Sequence, residues 1–233
     1  MSAARQERFR SACVVGSRGG IGGAVVRRLV QNGFKPVLEM DLDGPIRIDL
    51  SNPDSVQCAF ATGQSQVARL DALVLASGIL DLHKLKDLSL DRWNHILAVN
   101  LTGPFLCCQL ARDWLNDGGR IVLIGSLAGR TGGVLTGTAY AVSKGGIESL
   151  TKSIAQELAP RRITVNCVAP GGVDTPMLAS NSPGGLAVMK AATPLKRMAA
   201  PEEIAGAVAY LVSDDAAFVT GAVLPVNGGL RMD

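Results

Sequence analysis

The sequence predicts a doubly wound α/β domain built on one mainly parallel sheet of about seven strands. Three observations carry this. Short apolar runs rich in Val, Ile and Leu alternate with longer stretches of helical period along nearly the whole chain. The runs at 72–76 and 121–124 are continuously apolar, as expected of strands covered on both faces. A Gly-rich segment at 16–22 lies between the first apolar run and the first helical stretch. Strands alternating with helices are joined by crossovers, and crossovers make them parallel.

The elements follow in order. Residues 11–15 form the first strand and 21–32 the first helix, with Ile21, Val25 and Leu29 recurring at i+4 and Gly33 placed to cap it. Strands follow at 37–40 and 47–49. The link between them, 41–46, is too short for the dozen or so residues of a crossover helix, so a loop over the sheet edge is expected. Pro53, after Ser51-Asn52, opens the next helix. The strand at 72–76 leads to a long helix at 91–115, which Gly103-Pro104 should bend. Next come a strand at 121–124, a helix at 139–158 closed by Pro160, a strand at 163–168, a helix at 201–212 and a last strand at 223–226. Ligands of open parallel sheets sit at the carboxyl ends of the strands, so the loops after each strand should carry the chemistry.

Composition narrows the function. The 233 residues are 47% hydrophobic and 18% charged, enough for one large core over 1–233 and against disorder. A net charge of +3 spread along the chain, with 4% aromatics, offers neither the basic stripe nor the stacking platform of a nucleic-acid binder. The longest apolar stretch, 72–80, is interrupted by Ser77 and Gly78, which argues against a membrane span. The first ten residues are charged and lack the apolar core of a secretory signal, and five cysteines, an odd number, read as reduced thiols of a cytoplasmic protein. Two histidines without a CxxC pair predict no metal site.

Three motifs carry chemistry. Gly16-Ser17-Arg18-Gly-Gly20-Ile21-Gly22 stands between strand and helix, where glycines let the backbone approach a pyrophosphate and the helix N-terminus attracts its charge. A Gly-rich turn of mere packing looks the same. Tyr140 and Lys144 are four apart on a helix and share a face. A phenol with a pKa near about 10 is a poor acceptor at neutral pH, and a neighbouring ammonium brings it down, so the pair could exchange a proton with a substrate oxygen. Of the two tyrosines, Tyr210 lies in an apolar helix pattern and reads as core. Ser126 follows the buried strand 121–124, where a hydroxyl can either hold a reacting oxygen or cap a turn.

Taken together and in order, these motifs resemble the short-chain dehydrogenase/reductase family over nearly the whole chain. Gly16, Gly20 and Gly22 match its TGxxxGxG loop, with Val15 in place of Thr. Asn100 in Val99-Asn100-Leu101 matches the helix Asn of its catalytic tetrad, and Ser126, Tyr140 and Lys144 match its Ser and YxxxK. Pro170-Gly171-Gly-Val173-Asp-Thr175 matches the PGxxxT loop beside the nicotinamide, and Asp49 and Leu50 its adenine contact. The family's NNAG is here Leu75-Ala76-Ser-Gly78, which asks Leu75 to pack where Asn would steady the sheet. The resemblance implies a Rossmann-type NAD(P)-dependent oxidoreductase. Tyr140 is then the general acid/base, Lys144 lowers its pKa and holds the nicotinamide ribose, Ser126 orients the substrate oxygen, and Asn100 supports a proton relay through water.

Asp41 ends the second strand 19 residues past Gly22, where a carboxylate accepts from the adenosine 2′-OH and repels a 2′-phosphate. That favours NAD over NADP, against Arg18 in the Gly loop and with Glu39 and Asp43 nearby. A lid is expected over 176–200. The substrate is a small alcohol or carbonyl compound, with an NAD-linked alcohol or diol dehydrogenase favoured. The alternatives are an NADPH-dependent carbonyl or 3-oxoacyl-carrier-protein reductase, for which Arg130, Arg161 and Arg162 could dock the carrier, and, more remotely, a non-catalytic dinucleotide-binding regulator. The resemblance also implies a homo-oligomer, a dimer or tetramer, through the long helices.

Overall fold

A computed structural model describes residues 10–133, 135–179 and 183–232, so the reading of the first nine residues, and of 180–182 in the expected lid, lies outside the described residues. Seven strands, β1 (Arg10–Val15), β2 (Phe34–Asp41), β3 (Ile46–Arg47), β4 (Leu70–Leu75), β5 (Leu115–Ile124), β6 (Thr164–Pro170) and β7 (Val223–Val226), form one sheet among the described residues. Its order is β3-β2-β1-β4-β5-β6-β7, and every pairing is parallel. This is a Rossmann-type sheet, wholly rather than mainly parallel. The order reverses between β1 and β4, and the crevice at their carboxyl ends is where such sheets take a ligand.

Alternation of side chains builds two cores from the same strands. Cys13 and Val15 of β1, Leu73 and Leu75 of β4, and Ile121 and Leu123 of β5 face one way, towards α2 (Pro53–Gln66), α4 (Gly103–Trp114) and α6 (Thr138–Leu158). Ala12 and Val14, Ala72 and Val74, and Val122 and Ile124 face the other, towards α1 (Gly20–Gln31) and α9 (Pro201–Leu211). Both faces are buried, which is why these strands read as unbroken apolar runs. Leu75, standing where the family has Asn, is buried in the first core.

The short link behaves as its length requires. β2 and β3 pair in parallel, Met40 opposite Ile46, with no helix between them, and the turn is closed by the Gly44 N–H to the Asp41 carbonyl at 3.3 Å. Asn52 caps α2, its side chain accepting from the Asp54 and Ser55 N–H groups. The long helix expected over 91–115 is two helices, α3 (Leu90–Leu97) and α4, joined by a π-helical turn at Ala98–Thr102. Pro104 has no N–H for the carbonyl of Asn100, and the wider turn absorbs the missing bond. β5 starts six residues earlier than its apolar run, because Leu115 pairs with Leu70 of β4 ahead of an irregular polar stretch, with Gly118 at φ 77°, before pairing resumes at Arg120. A short helix α5 (Ala128–Thr131) gives no periodic signal and was not expected. Tyr210 corrects the reading of it as core: α9 buries Ile204, Ala205, Val208 and Leu211, and Tyr210, off that face, is 44% exposed.

Candidate active site

The glycines after β1 make a cradle that no larger residue could form. Gly16 adopts φ 86°, and a Cβ there would lie 2.5 Å from the Ser77 backbone nitrogen. A Cβ on Gly22 would land on the Gly16 carbonyl oxygen, and one on Gly20 would come within 2.7 Å of Thr175 Cγ2. The loop after β1, the loop after β4 and the loop after β6 therefore converge at van der Waals distance on the N-terminus of α1. Gly16 and Ser17 both donate backbone N–H groups to the Met40 carbonyl. The Ser17 hydroxyl is buried without a hydrogen-bond partner. An orphaned hydroxyl beside a glycine cradle and a helix N-terminus fits a dinucleotide pyrophosphate.

Asp41 closes one end of this cradle. Its carboxylate accepts from the Arg18 N–H at 2.9 Å and from the Leu42 N–H at 2.7 Å. Because β2 runs through Asp41, Glu39 and Asp41 share a face, and Glu39 stands 3.9 Å from the Arg18 guanidinium. Farther along the sheet edge, Asp49 accepts from the Ser51 hydroxyl at 2.6 Å and the Ser51 N–H at 2.9 Å, and these bonds hold its carboxyl below the usual range. Leu50 is buried, and Gly103 leaves room for it at the start of α4.

Ser126, Tyr140 and Lys144 meet at the carboxyl end of β5. Ser126 hydrogen-bonds the Tyr140 phenol and also accepts from the Ala128 N–H at 3.1 Å, so it is both site hydroxyl and turn cap. Lys144 is 4% exposed and donates Nζ to the Ile124 carbonyl at 2.8 Å, with Nζ 5.9 Å from the Tyr140 ring centroid. Burial pushes the Lys144 ammonium down to about 8, with Cys167 working weakly against it. Burial raises the Tyr140 phenol above its ordinary value, more than the Ser126 bond lowers it. Asn100 is buried behind them. Its Oδ1 accepts from the Ile79 N–H at 2.9 Å, and its Nδ2 donates to the Ile79 carbonyl at 3.0 Å and to Ser143 Oγ at 3.2 Å. Gly78 separates Asn100 from Lys144: a Cβ there would sit 3.4 Å from Asn100 Oδ1 and 3.3 Å from Lys144 Nζ.

A cleft of about 410 Å³ opens in front of this group. Of the residues expected from sequence, it brings together Ile21, Ala76, Gly78, Ser126, Tyr140, Lys144, Pro170, Gly171, Val173 and Thr175. Gly16, Ser17, Arg18, Gly20, Gly22 and Asp41 form the adjoining cradle, while Asn100, Asp49 and Leu50 do not line the cleft. Met177, Leu178, Val188 and Met189 of the expected lid, in α7 (Pro176–Ala179) and α8 (Pro183–Ala192), cover one side. Sequence reasoning missed Ser77, Leu80, Leu135, Thr136 and Leu230. The position of Ser77 inside the altered NNAG segment was a usable signal, but nothing local marks Leu230, which the C-terminal turn brings in.

The start of α6 is held from outside the cleft. Gly137 and Thr138 donate their N–H groups to the carbonyls of Asp81 and His83 at 2.6 and 3.0 Å. The Asp81 carboxylate is 1% exposed and accepts from His83 Nδ1 and Arg92 Nε, each at 2.8 Å. Burial works to raise Asp81, but these two partners outweigh it and keep it below the ordinary carboxylate range. The stabilisation is therefore complete above the unfolded Asp value near about 4 and is lost as pH falls through the lower folded value. Asp81→Ala is expected to destabilise the fold by about 1–3 kcal/mol, the usual cost of breaking a buried, charge-assisted hydrogen-bond set. It should also lower turnover by loosening the first turn of α6, where Tyr140 sits. A melting midpoint and kcat both equal to wild type would refute this role.

A family model described as enoyl-(acyl-carrier-protein) reductase matches residues 37–231. The chain belongs to the short-chain dehydrogenase/reductase family. Within that family it is 34% identical to cis-4-hydroxycyclohexanecarboxylate dehydrogenase of Sinomonas cyclohexanicum, over 94% of this chain and 96% of the relative. It is 35% identical to a 3-oxoacyl-(acyl-carrier-protein) reductase of Salmonella typhimurium, over 95% and 97%. Among solved structures, a blue fluorescent protein from a metagenomic library in complex with NADPH superposes with a TM-score of 0.89 at 30% identity, covering 96% of this chain and 98% of the other. This short-chain dehydrogenase/reductase is an oxidoreductase acting on CH–OH or carbonyl groups, and its family uses NAD(P)(H). Among the described residues no helix is long and apolar enough to cross a membrane, and no group of three or more His, Cys, Asp or Glu is placed to hold a metal.

Proposed function

We propose that this protein is an NAD-linked dehydrogenase of small secondary alcohols or diols. The observation that carries the cofactor preference is the Asp41 carboxylate, fixed against the backbone of the Gly loop, with Arg18 facing Glu39. A carboxylate there accepts from a ribose 2′-OH and repels a 2′-phosphate. Gly16, Ser17, Gly20, Ile21 and Gly22 hold the pyrophosphate, Asp49 and Leu50 the adenine, and Ala76, Gly78, Pro170, Gly171, Val173 and Thr175 the nicotinamide half. The bound cofactor supplies the hydride acceptor or donor. Ser126 holds the substrate oxygen against Tyr140, and Tyr140 takes its proton in oxidation or gives one in reduction. Lys144 fixes the ribose and supplies positive charge beside the phenol, offsetting the effect of burial. Asn100 holds the loop after β4 through Ile79 and the first turns of α6 through Ser143, and serves the proton path behind them.

Titration with NADH and NADPH, followed by a panel of cyclic diols, secondary alcohols and β-keto thioesters, tests this reading. Tighter NADH binding with alcohol oxidation supports it. NADPH preference with ketone reduction overturns the Asp41 argument. Asp41→Ala combined with Leu42→Arg is expected to move the NAD/NADP ratio of kcat/KM towards NADP by about tenfold or more, the effect of replacing one repulsive charge by an attractive one. An unchanged ratio rejects Asp41 as the determinant.

The carrier-protein reductase is the second reading, favoured by relatives such as the Salmonella protein. Against it, two of the three arginines considered for carrier docking are engaged: Arg130 pairs with Glu148 at 2.9 Å and Arg161 with Asp117 at 2.8 Å. For the homo-oligomer, we take the association face to be α4 and α6, which leave Phe105 and Val142 exposed.

A further inference from the structure

Apart from Tyr140, Ser126, Lys144 and four Ser and Thr residues, the described side chains lining the cleft are hydrocarbon. Leu80, Leu127, Leu135, Met177, Met189 and Leu230 line it, and Lys144 is the only charged side chain among the described lining residues. Lys144 is no counter-ion for a distal group, because its Nζ is turned to the Ile124 carbonyl beneath the catalytic hydroxyls. The basic residues that flank the lining in sequence, Arg130, Lys190 and Arg231, are all outside it; Arg130 is bonded to Glu148, and Lys84 is held by the Gly133 and Thr136 carbonyls.

The remaining polar side chains lie at the cofactor end, are engaged, or, as with Thr136, are buried without a partner. Ser77 and Thr175 pack against Gly16 and Gly20, at the cofactor end. Thr131 donates its hydroxyl to the Leu127 carbonyl at 3.2 Å, and the Thr136 hydroxyl is turned inward and buried. A substrate bound here therefore finds Tyr140 and Ser126 for one oxygen and hydrocarbon for the rest. A second charged group would be desolvated with no partner, and additional hydroxyls would lose their water without replacement.

We propose that the substrate is a secondary alcohol or ketone whose buried substituents are hydrocarbon, a saturated ring or a short alkyl chain, with neither a carboxylate nor several hydroxyls. This rests on the hydride-transfer reading above and narrows it to mono-alcohols and their ketones, setting the diols aside. It also sets the chain apart from its Sinomonas relative, whose name specifies a hydroxycyclohexanecarboxylate.

The test is a matched pair that differs in one group. The NADH-loaded protein is titrated with 4-methylcyclohexanone and with 4-oxocyclohexanecarboxylate, following cofactor fluorescence, and kcat/KM is measured for both. The neutral ketone is expected to bind about 100-fold more tightly, in line with the rejection of a group a site cannot pair. Equal or tighter binding of the carboxylate, or no measurable binding of the neutral ketone, overturns the proposal. Leu135, 43% exposed at the rim, provides the second arm: Leu135→Arg is expected to narrow the ratio by about tenfold by adding a counter-ion. No narrowing overturns the assignment of the hydrocarbon wall as the selective element. Turnover that survives Tyr140→Phe while the binding ranking holds defeats the catalytic reading and supports the substrate class. A reversed ranking with Tyr140-dependent turnover does the opposite.

Discussion

Tyr140→Phe is expected to lower kcat by about 10²–10⁴-fold while NADH binding stays within about twofold, the span assigned to a single positioned acid/base. The variant removes one oxygen from a hydrogen bond with Ser126 and leaves the ring packed in the first turn of α6. Its fold should therefore be unchanged, and the loss should fall on kcat and kcat/KM alike. Burial holds the phenol above its ordinary value, so without positive charge beside it Tyr140 stays protonated at neutral pH. It is then a ready acid for reduction and a poor base for oxidation. Lys144, brought down to about 8, is charged below that value and loses its charge above it. Lys144→Met should consequently impair oxidation more than reduction at pH 7, and steady-state rates in both directions measure this. Equal impairment would show that Lys144 acts only by holding the cofactor.

Much of this was legible in the sequence, and particular residues show why. Two-sided burial made β4 and the second half of β5 readable as unbroken apolar runs, and the four-residue spacing of Tyr140 and Lys144 fixed their shared face before any coordinates. The short link from Asp41 to Ile46 was readable from length alone, since no crossover helix fits in it. The unreadable parts are those set by tertiary contact. The carboxylate of Asp81 looks like any loop residue in sequence, and only the fold reveals that it is buried and anchors the start of α6. The engagement of Arg18 with Glu39 depends on β2 continuing two residues past Glu39. Tyr210 misled because an apolar helix segment states how much is buried and not which face. The apolar cleft wall is assembled from positions as far apart as Leu80 and Leu230, with no local signature.

Gly22→Ala has the largest structural effect expected of a single methyl group in this chain. Its Cβ would fall on the Gly16 carbonyl oxygen and close on Ser17 Cα, and both are backbone atoms that cannot rotate away. Gly16 cannot retreat, because its own Cα faces the backbone of Ser77, and its N–H is tied to the Met40 carbonyl at 2.8 Å. The strain can be relieved only by moving the loop off the N-terminus of α1 or by shifting α1 against α9. Overpacking of this kind costs about 1–3 kcal/mol, and here the displaced atoms are also those that would meet the pyrophosphate. We expect a lower melting midpoint together with a rise of about 30–100-fold in the NADH dissociation constant, which corresponds to about 2–3 kcal/mol. Gly23→Ala is the matched control, since a Cβ one position on meets nothing closer than 3.4 Å, and it should change cofactor affinity little. If both variants bind NADH like wild type, the glycines serve helix packing alone and the dinucleotide must lie elsewhere. If only Gly22→Ala fails, the close approach of Gly22 to Gly16 is what shapes the cradle for its ligand.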